Sequence, residues 1–222
     1  MYYLTNRNSI NIICLRYQHL LVVIMIANLF YFFLSFLVYT NSSNCTPTVN
    51  AYKSENEEAL TFCKKNGFNE DYYFLLDLGI APGKNRFFVY DFNQKKITDK
   101  NLVTHGACDH FDTNATKWEK AKFSSKTDSH CSMKGKYKIG KRDYSSWGIN
   151  VKYWLHGLEE SNKTAEKRVV VLHSWNAVSN DEIHPEVLPL SWGCPAVSDE
   201  FMKKLDAKLK LTKKPVLLWI IE

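Results

Sequence analysis

The sequence predicts a mainly β domain with a few helices, behind an N-terminal transmembrane or signal helix. Three observations predict it. Residues 20–39, LLVVIMIANLFYFFLSFLVY, carry no charge, and twenty helical residues span about 30 Å, the thickness of a bilayer core. From Tyr72 onward the chain breaks into short apolar and aromatic runs separated by turn residues, which is strand texture. Helical spacing appears only near Ser54 and again after Ser198.

Taken in order, Arg7 and Arg16 are the only formal charges in the first 44 residues, and nothing charged follows the apolar run until Lys53. The positive-inside rule therefore places the N-terminus in the cytoplasm and the rest outside, anchored to the cytoplasmic membrane or secreted after cleavage. The length of the run favours an uncleaved anchor. Residues 42–45 (SSNC) are a weaker match to a lipidation site at Cys45. This gives a stub and anchor over 1–40, a linker over 41–53 and one domain over 54–222. Ser54 with Glu57 forms a capping-box pattern, with the helix ending near Gly67 and Cys63 on its buried face.

YYFLLDLG from Tyr72, RFFVYDF from Arg86 and KKITDKNLVTHGA from Lys95 read as three strands, the last two joined by a hairpin over 93–96. Residues 113–142 are lysine-rich with little periodicity and read as a long loop, with Cys131 in it and exposed. NVKYWLHGL from Asn150 is a further strand. Val169 to Leu172 is a β-branched run of strand length that delivers His173 to its end. Ser198 is a good N-cap for a helix running to about Lys210, and PVLLWII closes the chain as a buried strand.

With 45% hydrophobic and 14% aromatic residues the chain has material for a core. Beyond residue 44 it holds 27 basic and 23 acidic residues, too even a balance to indicate nucleic acid without a motif. The six cysteines form no CxxC pair, so neither a zinc knuckle nor a dithiol redox site is indicated, and disulfide partners are not legible.

Chemistry concentrates in 168–199. Cys194 lies 21 residues after His173, between Gly193 and Pro195, in a tight non-helical loop. The thiolate is the reactive form of cysteine, and an imidazole is the group best suited to generate it near neutral pH. The helix starting near Ser198 adds a positive end close by. His105, before Gly106, is placed to face the same rim, although a structural role is equally compatible. Trp175 and Trp192 flank the two candidates as groove walls or as packing.

His173-Ser174 together with SWGCPA over 191–196 resembles the L,D-transpeptidase catalytic domain, the YkuD-like family. LVTHGA at Leu102, KFSS at Lys122, KGKYKIG at Lys134 and HGLEESNKTAEKRVVVLHS at His156 resemble the subgroup in which the motif reads SWGCPA. The resemblance runs from about Tyr72 to the C-terminus. It implies a β-sandwich or barrel and no metal or organic cofactor. It also implies an extracytoplasmic, cell-envelope acyl-transferase acting on peptidoglycan stem peptides. Cys194 would be the nucleophile and His173 its base. Ser191 and Gly193 would shape the catalytic loop, with the Gly193 and Cys194 N–H groups as oxyanion donors. Ser174, Trp175, Trp192 and His105 would contact substrate. Trp192, Ala196 and Leu190 depart from the family pattern, which has histidine or arginine at these positions.

Alternatives from the residues are an L,D-carboxypeptidase or endopeptidase using the same site, and a catalytically silent wall-binding protein. A sortase-like transpeptidase would need a downstream arginine, and none follows Cys194. A metal site built from His173, His184 and Cys194 lacks a short-spaced ligand pair. Oligomeric state is not legible.

Overall fold

The structure is a computed structural model that describes residues 51–108 and 116–222. The expected anchor helix, linker and Cys45 lipidation site lie outside the described residues. Among the described residues no helix is long and apolar enough to cross a membrane. The chain divides into two units, Met1–Ala51 and Tyr52–Glu222, and the second is described here.

Helix α1 (Lys53–Asn66) starts one residue before Ser54, so the expected capping box does not form. Tyr52 occupies the N-cap without a side-chain cap, and the Ser54 hydroxyl binds the Glu55 carboxylate at 2.9 Å. Its other end is as the sequence predicts: Gly67 takes φ 71°, a left-handed conformation that favours glycine. Ala59 and Cys63, one turn apart, face the sheet and are fully buried.

The strands are β1 (Tyr72–Asp77), β2 (Phe87–Asp91), β3 (Lys96–Asn101), β4 (Gly135–Tyr144), β5 (Val151–Gly157), β6 (Val171–Ser174), β7 (Ala196–Val197) and β8 (Leu217–Ile221). They form one eight-stranded sheet in the order β3-β2-β1-β8-β4-β5-β6-β7. The C-terminal strand β8 thus lies mid-sheet, parallel to β1 and antiparallel to β4. Two short helices' worth of chain outside the sheet are α2 (Thr116–Glu119) and α3 (Asp199–Leu211).

β1 explains why a continuous apolar run is needed at this place. Tyr72, Phe74 and Leu76 enter a core shared with Phe201, Met202, Leu205 and Leu209 of α3. Tyr73 and Leu75 enter a second core with Ala59 and Cys63 of α1. Both faces are covered, and each fully buried large side chain is worth about 1.5–3 kcal/mol.

The two edges of the sheet meet. After β3 the chain runs on through Leu102 to Ala107 and bonds to the segment leading into β7. Thr104 N–H donates to Ala196 O at 3.0 Å, Ser191 N–H to His105 O at 2.9 Å, and Ala107 N–H to Ser191 O at 2.8 Å. This nearly closes the sheet into a barrel-like form and covers the edge at β7. The SWGCPA segment is one side of that seam.

Two local expectations are corrected. The lysine-rich stretch is not a loop throughout: from Gly135 it is the ten-residue strand β4. Lys136, in that strand, is buried because its ammonium meets Glu58 at 2.7 Å and lies 4.0 Å over the Trp219 ring. Cys131 is not exposed. It is 1% accessible and forms a disulfide with Cys108.

Candidate active site

β6 begins at Val171, two residues later than its β-branched run predicts. Val169 turns into the left-handed region at φ 55° and is half exposed. The shortened strand still delivers His173, which pairs with Lys152 on β5 and with Ala196 on β7. That register brings the imidazole beside the loop two residues before Ala196, where Cys194 sits.

The loop has little freedom. Gly193 takes φ 100°, and a Cβ there would come within 2.7 Å of the Cys131 carbonyl oxygen. A side chain is excluded on both counts. The Gly193 N–H donates to Ser191 Oγ at 3.2 Å, and Ser191 is itself tied to the seam through His105 and Ala107.

His173 Nδ1 lies 2.9 Å from the Ser174 carbonyl oxygen. A carbonyl only accepts, so Nδ1 carries the proton and Nε2 keeps its lone pair. Burial pushes the His173 pKa below its ordinary 6.5; the Ser174 carbonyl opposes this and the Lys152 charge adds to it. At neutral pH the imidazole is uncharged and able to accept a proton.

The thiol of Cys194 rests on backbone. Its Sγ accepts from Val171 N–H at 3.4 Å and donates to Val169 O at 3.7 Å. Among the described residues no hydrogen bond joins it to His173. Burial raises its pKa above the ordinary 9.0, against the smaller pull of the Val171 N–H and of Arg168 and Lys152. The helix end expected to lower it is that of α3 (Asp199–Leu211). The β7 strand separates Cys194 from α3, whose first turn is capped by Ser198 Oγ accepting from Phe201 N–H at 3.3 Å. The pair therefore rests as neutral thiol and neutral imidazole.

A cavity of about 420 Å³ opens over this pair, lined by Trp147, His173, Trp175, Leu190, Ser191, Trp192 and Cys194. Five sequence-predicted residues meet there: Cys194, His173, Ser191, Trp175 and Trp192. Gly193 lies in the same loop and contributes backbone. His105 is not brought in. It is buried and its Nδ1 accepts from Arg86 Nη2 at 3.0 Å, beside the bonds that Arg86 makes to Val103 O. Ser174 is also outside the cavity: fully buried, its hydroxyl accepts from Ile149 N–H at 3.0 Å while its carbonyl holds His173.

Trp147, stacked edge-on against Trp175 at 5.7 Å, and Arg168 were not found from the sequence. Arg168 donates to Ser124 O at 2.9 Å and to Cys131 O at 2.7 Å. Both acceptors lie in the segment before β4, which these bonds tie to the start of the run leading into β6, and the His130 ring rests 4.6 Å from that of Trp192. The signal for Trp147 was only its aromatic character in a turn, and for Arg168 only its place before the β-branched run. Among the described residues, no group of three or more His, Cys, Asp or Glu side chains is arranged to hold a metal ion.

The sequence matches the L,D-transpeptidase catalytic domain over residues 46–219. This chain belongs to the L,D-transpeptidase catalytic-domain family. No curated protein matches it in sequence. Among solved structures, this L,D-transpeptidase domain is similar to Bd1075 of Bdellovibrio bacteriovorus, at 17% identity and TM-score 0.40, covering 69% of this chain and 49% of that one. It is also similar to an L,D-transpeptidase of Xylanimonas cellulosilytica, at 9% identity and TM-score 0.40, covering 72% and 68%. The helical cell shape determining protein Pgp2 of Campylobacter jejuni gives 12% identity and TM-score 0.41, covering 74% and 53%. The chain thus spans about half the length of the first and last of these structures.

Proposed function

We propose that this L,D-transpeptidase domain is a cysteine acyl-transferase acting on peptidoglycan stem peptides in the cell envelope, outside the cytoplasmic membrane. The observation that carries the reading is the shared cavity, where Cys194 and His173 line one space large enough for a peptide segment. In the proposed reaction the thiol rotates off Val169 O and passes its proton to His173 Nε2. Sγ then attacks the carbonyl carbon of the donor peptide.

The tetrahedral oxyanion is received by the Cys194 N–H, which donates to no protein acceptor among the described residues. The Gly193 N–H joins it on leaving Ser191 Oγ, a 3.2 Å bond in the resting state. Collapse breaks the C–N bond, and the imidazolium proton goes to the departing amine. The thioester is then resolved by an acceptor amine, forming a cross-link, or by water, giving hydrolysis. Ser174 contributes by fixing the tautomer of His173, and Trp147, Trp175 and Trp192 contribute the apolar walls. No cofactor enters this scheme.

Intact-protein mass spectrometry tests it. The chain incubated with a tetrapeptide muropeptide or a carbapenem should gain a covalent adduct that Cys194→Ala does not, and the released products separate cross-linking from hydrolysis. A folded, reduced protein that gains no adduct would instead be a silent wall-binding protein.

A further inference from the structure

The LVTHGA motif at Leu102 holds a hydroxyl that the acyl-transfer scheme does not use, that of Thr104, a residue only 1% exposed. It faces the catalytic loop from across the seam. Thr104 Oγ1 donates to the Cys194 carbonyl oxygen at 3.2 Å and accepts from Ala196 N–H at 3.0 Å. The Thr104 backbone N–H donates to Ala196 O, also at 3.0 Å.

The residue between those two bridged groups explains why a side chain is needed. Pro195 has no N–H and cannot donate to a backbone ladder. A hydroxyl both donates and accepts, so one oxygen joins the carbonyl before the proline to the amide after it. From the other side His173 N–H donates to Pro195 O at 3.4 Å. The stretch from Cys194 to Ala196 is thus gripped between the strand that carries the base and the seam, and the hold on Cys194 itself comes through its carbonyl. At the start of the loop Ser191 N–H donates to His105 O at 2.9 Å. Neighbouring residues of one motif therefore pin both ends of the loop that carries Trp192, Gly193 and Cys194. Without the hydroxyl, rotation about the Cys194 backbone would carry Sγ and the Cys194 N–H together, and a displacement of about 1 Å is worth about 10²-fold in rate.

We propose that Thr104 is a positioning residue for the nucleophile: its hydroxyl bridges the Cys194 carbonyl and the Ala196 N–H across Pro195, and so holds Sγ and the Cys194 N–H where the reaction with His173 needs them. This role rests on the acyl-transfer reading above, and Thr104 acts through Cys194.

The test, on full-length protein, separates the hydroxyl from the fold. Thr104→Val keeps the shape and removes the hydroxyl; Thr104→Ser keeps the hydroxyl and loses a buried methyl. Both should lower the urea midpoint. Only Thr104→Val should lower the maximum rate of adduct formation with a carbapenem, by at least about tenfold, with the half-saturating concentration within about twofold of the parent's. Thr104→Ser should recover most of that rate. If Thr104→Val does not fold, Thr104→Ala against Thr104→Ser, a pair that differs only in the hydroxyl, makes the same comparison. Iodoacetamide labelling of Cys194 needs no acyl transfer, and at one pH it should run at least about threefold faster in Thr104→Val than in Thr104→Ser. A parental maximum rate in Thr104→Val, an effect confined to the half-saturating concentration, or slowing of both variants in step with their stability overturns the role. If the parent gains no adduct, the acyl-transfer reading falls and the labelling decides: faster labelling of Thr104→Val upholds Thr104 as the residue that holds Cys194, and equal labelling overturns it.

Discussion

His173 Nδ1 and the Ser174 carbonyl oxygen lie 2.9 Å apart, and this single contact fixes which imidazole nitrogen is free to act as a base. The side chain is oriented by the backbone of its own neighbour, and among the described residues no carboxylate stabilises an imidazolium. Burial accordingly pushes the His173 pKa below 6.5 and the Cys194 pKa above 9.0. The proton sits on sulfur at rest, and in the proposed reaction it moves when a substrate carbonyl is present to accept the thiolate.

The pH dependence follows directly. In the proposed mechanism acylation needs neutral His173, and a lowered pKa keeps that form populated down to pH values below 6.5. The acylation rate should stay level from neutral pH down to about that point and fall only beneath it. Iodoacetamide labelling of Cys194, which reports free thiolate, should be slow at neutral pH and still rising at pH 9, without the earlier plateau of a thiol whose pKa is lowered. His173→Ala should slow adduct formation by roughly 10²–10⁴-fold, the usual contribution of a general base. Rates from intact mass across about pH 5 to 10 check all three, and an ion-paired thiolate would instead label rapidly at neutral pH.

Arg168 links two segments distant in sequence, and its loss should be felt at the thiol. Removing it strands the Cys131 carbonyl and leaves the Ser124 carbonyl only the Ser129 hydroxyl at 3.4 Å, where each now accepts a charge-assisted bond. Arg168→Gln should destabilise the domain by about 2 kcal/mol and slow acylation about tenfold or more. Arg168→Lys keeps the charge but not the two-armed geometry, and should recover only part of either effect. Urea denaturation and adduct kinetics on the same preparations separate folding from chemistry.

Cys108 and Cys131 close a 23-residue separation beside the catalytic loop. Chain-entropy reasoning gives roughly 3 kcal/mol for a loop of this size. Cys108→Ser with Cys131→Ser should lower the denaturation midpoint accordingly and lower the acylation rate, because the Cys131 carbonyl is both the acceptor for Arg168 and the wall behind Gly193. An unchanged rate with lowered stability would show that the bridge stabilises the fold without positioning the loop.

How much of this was legible depended on whether the signal was local. The Ser198 cap, the Gly67 stop and the apolar run of β8 are local, and each lies where the sequence puts it. β4 was hidden because lysines lie along it, and only the fold supplies the Glu58, Glu159 and Trp219 that accept Lys136. Cys194 and His173 were legible as a motif, but their resting partners were not. The thiol's bonds to Val169 and Val171 depend on where β6 starts, and a left-handed valine is invisible to a propensity argument. His105 looked like a site residue because glycine follows it; the buried Arg86 that claims it lies just before β2, far away in sequence.

Val169 itself carries a prediction. A β-branched residue at φ 55° is strained, by about 1–3 kcal/mol for a left-handed non-glycine residue, and its side chain is half exposed, so little packing offsets that cost. Val169→Gly should leave stability unchanged or raise it by up to about 1 kcal/mol, despite the greater backbone entropy of glycine. Because the Val169 carbonyl holds the resting thiol, faster alkylation of Cys194 in this variant would show that backbone rigidity there restrains the nucleophile. Thermal denaturation and iodoacetamide kinetics are the two readouts.

Asp206 makes the fold sensitive to acid at the helix that follows the active-site strand. Burial alone would raise its carboxyl, but Arg142, Lys210 and Tyr153 outweigh that and hold its pKa at about 2, below the ordinary 3.8. Arg142 Nε meets Asp206 Oδ1 at 2.7 Å and the Tyr153 hydroxyl donates to the same oxygen at 2.8 Å, tying α3 to β4 and β5. A lowered folded pKa means that the unfolded state binds more protons between the two values. The stabilisation is therefore complete above pH 3.8 and is lost as pH falls toward about 2. With Arg142 partly exposed, solvent screening leaves a contribution on the order of 1 kcal/mol. Asp206→Asn keeps the shape and removes the charge, so it should cost about that much at neutral pH and flatten the pH dependence of stability between pH 4 and 2. Urea midpoints for both proteins at neutral pH and near pH 2.5 decide it: a loss in Asp206→Asn that persists equally at both values would mean that packing, and not the ion pair, fastens α3 to the sheet.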